Sequence, residues 1–354
     1  MTTDDLIHRP GAWLAADARS DVIVSSRIRL ARNIAGVAFP GWAGEEECVR
    51  LQATLWPVLQ RLESLAPSFA VDMAFASTSD REFLCERHLI SNELVQKSRG
   101  SGLVMREDET VSVMVNEEDH LRLQAMRPGL QLAELWQLID RLDSEIERHA
   151  TYAFTAERGY LTACPTNVGT GLRASAMLHL PGLRLTNEVD PIVKGLTKIG
   201  LAVRGLLGEG TEAAGNMFQI SNQTTLGESE PAIVERLIQI VTEVAVHERN
   251  ARARLMEQRQ PYLRDCVGRA YGILGNVCVL SSREVLDLLS GLRLGVDMGI
   301  MGGIEAGEIN RLLLQTQPGH LQRTEGRAIN PDERDEVRAR RVRETVRRAT
   351  FRAE

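Results

Sequence analysis

The chain has 354 residues, 43% of them hydrophobic and 25% charged, and a formal net charge of −6. That length exceeds what one compact core usually holds, and the balance excludes collagen-like and disordered classes. No stretch approaches the roughly 18–20 consecutive apolar residues of a membrane-spanning helix, and the charge is too modest to mark a nucleic-acid binder.

Residues 1–20 read as a lead-in, with Asp4 and Asp5 where a secretory leader would be basic and then apolar. Asp21–Val24 reads as a short strand running into Ser25-Ser26-Arg27-Ile28-Arg29-Leu30-Ala31-Arg32-Asn33. Residues 45–65 carry a helical apolar pattern (Val49, Leu55, Leu59, Leu62) with Pro57 as a kink. Val111–Val115 has strand composition, Gln131–His149 reads as an amphipathic helix, and short β-prone pieces follow at Tyr152–Phe154 and Tyr160–Ala163. Pro191 suits the first turn of a helix running towards Leu207, Phe218–Ile220 suits a strand, and Glu230–Glu257 reads as one long charged helix. Beyond about residue 258 three helical stretches remain, Ser282–Leu289, Glu305–Gln315 and Pro331–Phe351, with a turn-like Pro318–Asn330 between the last two. Short strands, several not separated by helices, predict an α+β fold. Its antiparallel or mixed sheet is flanked by helices over residues 21–255, with a helical domain over 256–354.

Five scattered cysteines (Cys48, Cys85, Cys164, Cys266, Cys278), never in a CxxC pair, point away from a disulfide scaffold or a zinc knuckle and towards a reducing cytoplasm. Only Lys97, Lys194 and Lys198 are lysines, so 39 of the 42 basic residues are arginines. Any phosphate site must then be built from arginine forks and backbone N–H groups. The usual phosphate loops are absent, since Gly208-Glu209-Gly210 fails the G-x-G-x-x-G spacing, and no H-E-x-x-H suggests a zinc protease.

Four segments carry chemistry. Strand alternation puts Arg27 and Arg29 on one face, two forks about 7 Å apart, suited to a polyphosphate or merely to a solvated edge. In Asn116-Glu117-Glu118-Asp119-His120-Leu121-Arg122 three adjacent acids repel one another unless a cationic group sits among them, although a solvated turn reads the same way. In Thr162-Ala163-Cys164-Pro165-Thr166-Asn167-Val168-Gly169-Thr170-Gly171-Leu172-Arg173-Ala174-Ser175 the glycines would let backbone approach a ligand. Cys164 is either a reactive thiol or a small buried hydrophobe. Arg204-Gly205-Leu206-Leu207-Gly208-Glu209-Gly210-Thr211-Glu212 reads as a mobile lid or as a plain surface loop.

These strings, in this order, together with Phe218-Gln219-Ile220-Ser221-Asn222, resemble the signature segments of the phosphagen (ATP:guanido) kinases over roughly residues 21–250. The Cys-Pro-Thr-Asn-x-Gly-Thr-Gly-x-Arg block is highly specific. Only 24 residues precede the Ser-x-Arg-x-Arg strand, where metabolite-specific members carry a helical domain, and about a hundred follow the catalytic region. Both features resemble the bacterial protein-arginine kinase branch. So does Arg334-Asp335-Glu336-Val337-Arg338-Ala339, similar to that branch's phosphoarginine-binding motif.

The resemblance implies the guanido kinase catalytic fold and transfer of the ATP γ-phosphoryl group to protein arginine. Arg27, Arg29, Arg122, Arg173 and Arg204 match the arginines that grip the phosphates. Ser25, Ser26, Ile28, Ala174, Ser175, Ala176, Met177, Gly205, Leu206, Leu207 and Gly208 flank them in the nucleotide site, and His88 matches the histidine beside the adenine. Glu118 and Glu209 match the carboxylates that hold and deprotonate the guanidinium, and Cys164 matches the thiol next to it. Arg334, Asp335, Arg338 and Ala339 match the phosphoarginine-binding residues. The implied cofactors are ATP and Mg²⁺. The implied partners are protein substrates, a second copy in a homodimer, a zinc-finger activator and a Clp ATPase/protease. A free-arginine kinase and a phosphoarginine-reading adaptor with a vestigial site are the rival readings.

Overall fold

The structure is a computed structural model that describes residues 3–7, 9–14, 21–205 and 213–352. Its strands, in chain order, are β1 (Ile23–Arg32), β2 (Ser68–Asp72), β3 (Gly102–Arg106), β4 (Val111–Val115), β5 (Leu121–Pro128), β6 (Phe154–Thr155), β7 (Gly159–Tyr160), β8 (Leu172–His179), β9 (Leu201–Gly205), β10 (Met217–Asn222), β11 (Met301–Gly302) and β12 (Thr350–Phe351). The α-helices are α1 (Glu45–Leu59), α2 (Thr78–Glu86), α3 (Asn92–Val95), α4 (Leu132–Glu147), α5 (Pro181–Leu185), α6 (Val189–Lys198), α7 (Glu230–Gln258), α8 (Gln260–Asn276), α9 (Ser282–Asp297), α10 (Ala306–Gln315), α11 (Pro318–Glu325) and α12 (Pro331–Val346). Eight strands join in the order β2-β3-β4-β5-β1-β8-β10-β9.

The chain divides into two compact units, Met1–Trp13, Ser26–Ser175 and Ser221–Ile238 in the first, Leu14–Ser25, Ala176–Ile220 and Gln239–Glu354 in the second. In the first, β2 to β5 form an antiparallel meander in which Val104 faces Val113 and Val113 faces Leu123. β4 is buried along its whole length, Ser112 included, and its apolar residues reach both of its faces. β1 does alternate where it matters. Ile28 and Leu30 are fully buried, while Arg27 and Arg29 between them are half-buried. The lead-in is held more firmly than its composition suggests, because Leu6 joins the cluster of Phe83, Leu84, Leu89 and Met114.

The second unit packs α8 against α9 and α12, and α9 against α10, with buried charge on α7 and α9. The Glu248 carboxylate accepts from the Gly182 and Leu183 backbone N–H groups at 2.8 and 2.9 Å and pairs with Arg252. Arg252 and Arg293 share Asp297 at 3.1 and 2.9 Å, and Arg293 donates to Asn310. Buried ions persist where each finds such partners.

Several elements differ from the sequence reading. The helix at Pro191 ends at Lys198, because Gly200 takes a left-handed φ of +80° and Leu201–Gly205 then joins the sheet. Five helices, α2, α3, α5, α8 and α11, went unread. In α8 the core positions Leu263, Val267, Ala270 and Leu274 are diluted by three glycines. In α11 the turn-like residues are helix punctuation, Pro318 opening the first turn and Gly326 closing the last at φ +68°. Pro331–Phe351 is a helix only as far as Val346, and Thr350–Phe351 pairs with Met301–Gly302.

Candidate functional site: an arginine cage beside an acid turn

Three adjacent strands of the first unit each deliver arginine to one place. β1 supplies Arg27 and Arg29, β5 supplies Arg122 and β8 supplies Arg173. All four are half-buried. Burial, then the neighbouring Arg122 and Arg173, push Arg27 down to about 9. Arg29 is pushed well below the usual guanidinium range by burial and by Arg27, Arg122 and Arg173, with Glu117 opposing. Like charges this close are unfavourable unless a polyanion joins them. The Arg29 Nε–H also has no hydrogen-bond partner among the described residues. Such a cage fits a triphosphate.

The scaffolding around the cage is specific. Arg173 donates to the Ser221 hydroxyl at 3.3 Å, and Asn222 fixes β8 by accepting from Ala174 N and donating to Leu172 O. Ser26 is fully buried, and its hydroxyl donates to Gly129 O and accepts from Gln131 N, so it holds the turn into α4. Ser175 donates to Arg27 O at 3.4 Å, while Ile28 and Ala174 lie in the core. Arg32, the last arginine of β1, points elsewhere. It pairs with Asp143 at 2.7 Å, donates to Thr170 O at 2.9 Å and lies 3.5 Å from the Tyr160 ring centroid.

The acids stand at the turn from β4 to β5. Asn116, in a left-handed φ of +53°, starts that turn and donates to Gly100 O and Cys48 O. Glu117 is buried and binds both Arg122 and Ser91, while its second oxygen accepts from the Glu118 backbone N–H at 2.8 Å. One carboxylate therefore ties a cage arginine to the turn carrying Glu118. Glu118 itself is exposed, and its carboxyl is raised above the ordinary range by burial of its inner part and by Asp119 and Glu117. Asp119 accepts from Asn33 Nδ2 and from Ala163 N, both at 2.6 Å, and the Asn33 oxygen in turn accepts from His120 N. Those bonds join the acid turn to the residue before Cys164.

The Cys164 Sγ lies 3.0 Å from Thr166 Oγ1, with the thiol half-buried. The glycines that follow serve packing within the protein rather than approach to a ligand. A Cβ on Gly169, at φ +114°, would fall 2.3 Å from Thr225 O, and one on Gly171, at φ +64°, 2.6 Å from Ala31 O. His88 is half-buried in a left-handed φ of +59°, and burial with Arg27 and Arg29 pushes it down to about 3, so its ring is neutral.

In the second unit Ser25, Ala176 and Met177 are buried, Arg204 is exposed on β9 and Gly205 is buried. Leu206, Leu207, Gly208 and Glu209 lie outside the described residues. On α12, Arg334 and Asp335 are half-buried and Ala339 is buried. Arg338 is completely buried, donates to Thr316 O at 2.8 Å and Leu280 O at 2.6 Å, and pairs with Asp335.

Residues 58–251 match the family described as ATP:guanido phosphotransferase, C-terminal catalytic domain, and residues 260–353 match the Protein-arginine kinase McsB C-terminal domain. A protein-arginine kinase of Moorella thermoacetica is 46% identical over 344 residues, 96% of this chain and 98% of that one. The chain belongs to the protein-arginine kinases. A second relative of that name, from Desulforamulus reducens, is 44% identical over 98% of both chains. Among solved structures, a duplicated taurocyamine kinase from Schistosoma mansoni with bound transition-state analog components is similar at a TM-score of 0.60 and 28% identity, covering 70% of this chain and 36% of that one. Lombricine kinase is similar at 0.60 and 26%, covering 71% of both. The guanido kinase fold class read from sequence thus holds.

The residues that connect the site were not read from sequence as site residues. Glu117, Asp119, Asn33, Ser91 and Ser221 act through contacts across long stretches of chain, and only the odd crowding of acids at 117–119 hinted at them.

Proposed function

We propose that this enzyme transfers the γ-phosphoryl group of ATP to the guanidinium of arginine side chains in proteins, with the cage of Arg27, Arg29, Arg122 and Arg173 holding the triphosphate. The observation that carries this is the convergence of four like charges, two of them strongly depressed, beside a turn of acids. Arg204 and the neutral His88 complete the nucleotide contacts in this reading, His88 against the base.

A guanidinium is protonated at any cellular pH and has no lone pair to attack with. The N–P bond can form only as a proton leaves. Glu118 accepts N–H bonds from the guanidinium, aligns one nitrogen and takes its proton, while the bond from the γ-phosphorus to the ADP oxygen breaks. Its raised carboxyl makes it a stronger base than an ordinary glutamate. Glu209 supplies the second carboxylate in this scheme. The arginines offset charge on the equatorial oxygens, which is most of what phosphoryl transfer asks of a protein. Among the described residues no cluster of three metal-ligating side chains occurs, so Mg²⁺ would ride on phosphate oxygens and water and spread the phosphate charge. Cys164 lies at the guanidinium end and tunes it.

The family matches at 58–251 and 260–353 support a catalytic domain over 21–255 and a C-terminal domain over 256–354. On the resemblance to protein-arginine kinases we also place Arg334, Asp335, Arg338 and Ala339 in a phosphoarginine site. The same resemblance suggests a cytoplasmic homodimer, with a zinc-finger activator and a Clp ATPase/protease as partners. No helix among the described residues is long and apolar enough to cross a membrane. The test is incubation with Mg-ATP and either casein or free arginine. Acid-labile phosphate on casein arginines is expected; label on free arginine alone would favour a metabolite kinase, and label on neither a vestigial site.

A further inference from the structure

The segment before β1 holds a buried group that the phosphate cage does not use. Trp13 is 6% exposed, and its indole Nε1–H has no hydrogen-bond partner among the described residues. A buried donor left without an acceptor is costly and rare in native proteins, and a ligand is one of its ordinary explanations. The Trp13 ring stands edge-to-face on His88, with centroids 4.6 Å apart and planes at 65°.

This pairing is built. Arg87, next to His88 in sequence, is buried and pairs with Glu109. The same guanidinium donates twice to Arg9 O at 3.3 Å, and the Glu109 carboxylate accepts from the Ala12 backbone. One ion pair thus holds both the turn that carries Trp13 and the turn that carries His88. His88 keeps a left-handed backbone, unusual for a residue with a side chain, through its N–H to Cys85 O at 2.9 Å and through Gln124 Nε2 donating to its carbonyl at 2.7 Å. Arg27 and Arg29 act on His88 electrostatically, so the aromatic corner adjoins the cage.

We infer that Trp13 is a nucleotide-base residue: with His88 it forms an aromatic corner that receives the adenine ring of ATP, and its Nε1–H donates to a ring nitrogen of the base. Adenine carries such acceptors at N3 and N7. The inference rests on the reading of the cage as the triphosphate site and adds a residue that sets affinity for the base rather than for the phosphates.

The test uses the full-length protein and two ligands, ADP and inorganic tripolyphosphate, the second lacking any base. Trp13→Ala should weaken ADP about ten- to hundredfold, the loss of an aromatic contact and a hydrogen bond together, and leave tripolyphosphate within about twofold. Trp13→Phe, which keeps an aromatic ring and lacks the N–H, should fall between and covers the case in which the alanine variant misfolds. The preference for ATP over CTP should shrink in both. Unchanged ADP affinity, or equal weakening of ADP and tripolyphosphate, would overturn the inference and leave Trp13 a packing residue. Tripolyphosphate binding that survives Arg29→Gln would instead sink the phosphate reading, and this inference with it.

Discussion

Two regions of the chain are crowded with arginine, and they differ in what surrounds each guanidinium. On β1, β5 and β8 the cage arginines face one another, and Arg27 and Arg29 are depressed by burial and like charge. On α12 the buried Arg338 faces two carbonyls and Asp335, Arg340 pairs with Glu325, and Arg341 donates to Gln315 O. The first set gathers four guanidiniums beside Glu117, while Arg338 holds Thr316 O, Leu280 O and Asp335. Arginine density alone does not mark a phosphate site. What marks it is a set of guanidiniums that depress one another, as Arg122 and Arg173 depress Arg27 and Arg29.

The largest effect should come from the acid next to the cage. Glu118→Gln should fold normally and lose about 10²–10⁴ in turnover, the usual contribution of a general base; near wild-type rates with a clean unfolding transition would remove Glu118 from the chemistry. Next is the contrast between the two regions. Arg29→Met should raise the KM for ATP about ten- to hundredfold, the loss of a charge-assisted phosphate contact, yet leave the nucleotide-free protein as stable or more so, since one of four mutually repelling charges is gone. Arg338→Ala should do the reverse, costing about 1–3 kcal/mol in stability through the acceptors it strands, with the ATP KM unchanged. Matching behaviour of these two variants in calorimetry and steady-state kinetics would erase the distinction.

Cys164→Ser should lower turnover about tenfold through one weakened charge-assisted contact and leave nucleotide affinity alone. An unchanged rate would make the thiol a packing residue. The smallest effect concerns pH. Glu118 holds its proton to higher pH than an ordinary glutamate, and the base form is lost as pH falls through that raised value. The acid limb of kcat/KM should therefore lie above the ordinary glutamate range. The exposed Glu93 contributes to the rise, so Glu93→Gln should move the limb to lower pH, less so at high salt. A shift to higher pH would contradict that cause.

Much of this was legible in the sequence where chemistry is local. The composition of Val111–Val115 announced a strand, and the alternation of Arg27, Ile28, Arg29 and Leu30 announced a strand with one arginine face. Punctuation misled where the same residues open or close a helix as make a turn, as at Pro318 and Gly326. The ties that make the site rigid were not legible, because they span distance. Asn33 meets Asp119 across 86 positions, and Trp13 meets His88 across 75. Nor could spacing tell that the glycines at 169 and 171 make room for Thr225 and Ala31 rather than for substrate.

The claim that the cage, and not the C-terminal arginines, holds the triphosphate can be tested directly by arginine-specific labelling with phenylglyoxal, read by peptide mass spectrometry with and without ATP. The arginines at 27, 29, 122 and 173 should label in the free protein and be shielded by ATP, while labelling between residues 331 and 346 should not change. Shielding confined to the C-terminal helix, with the strand arginines labelled equally in both conditions, would contradict the account.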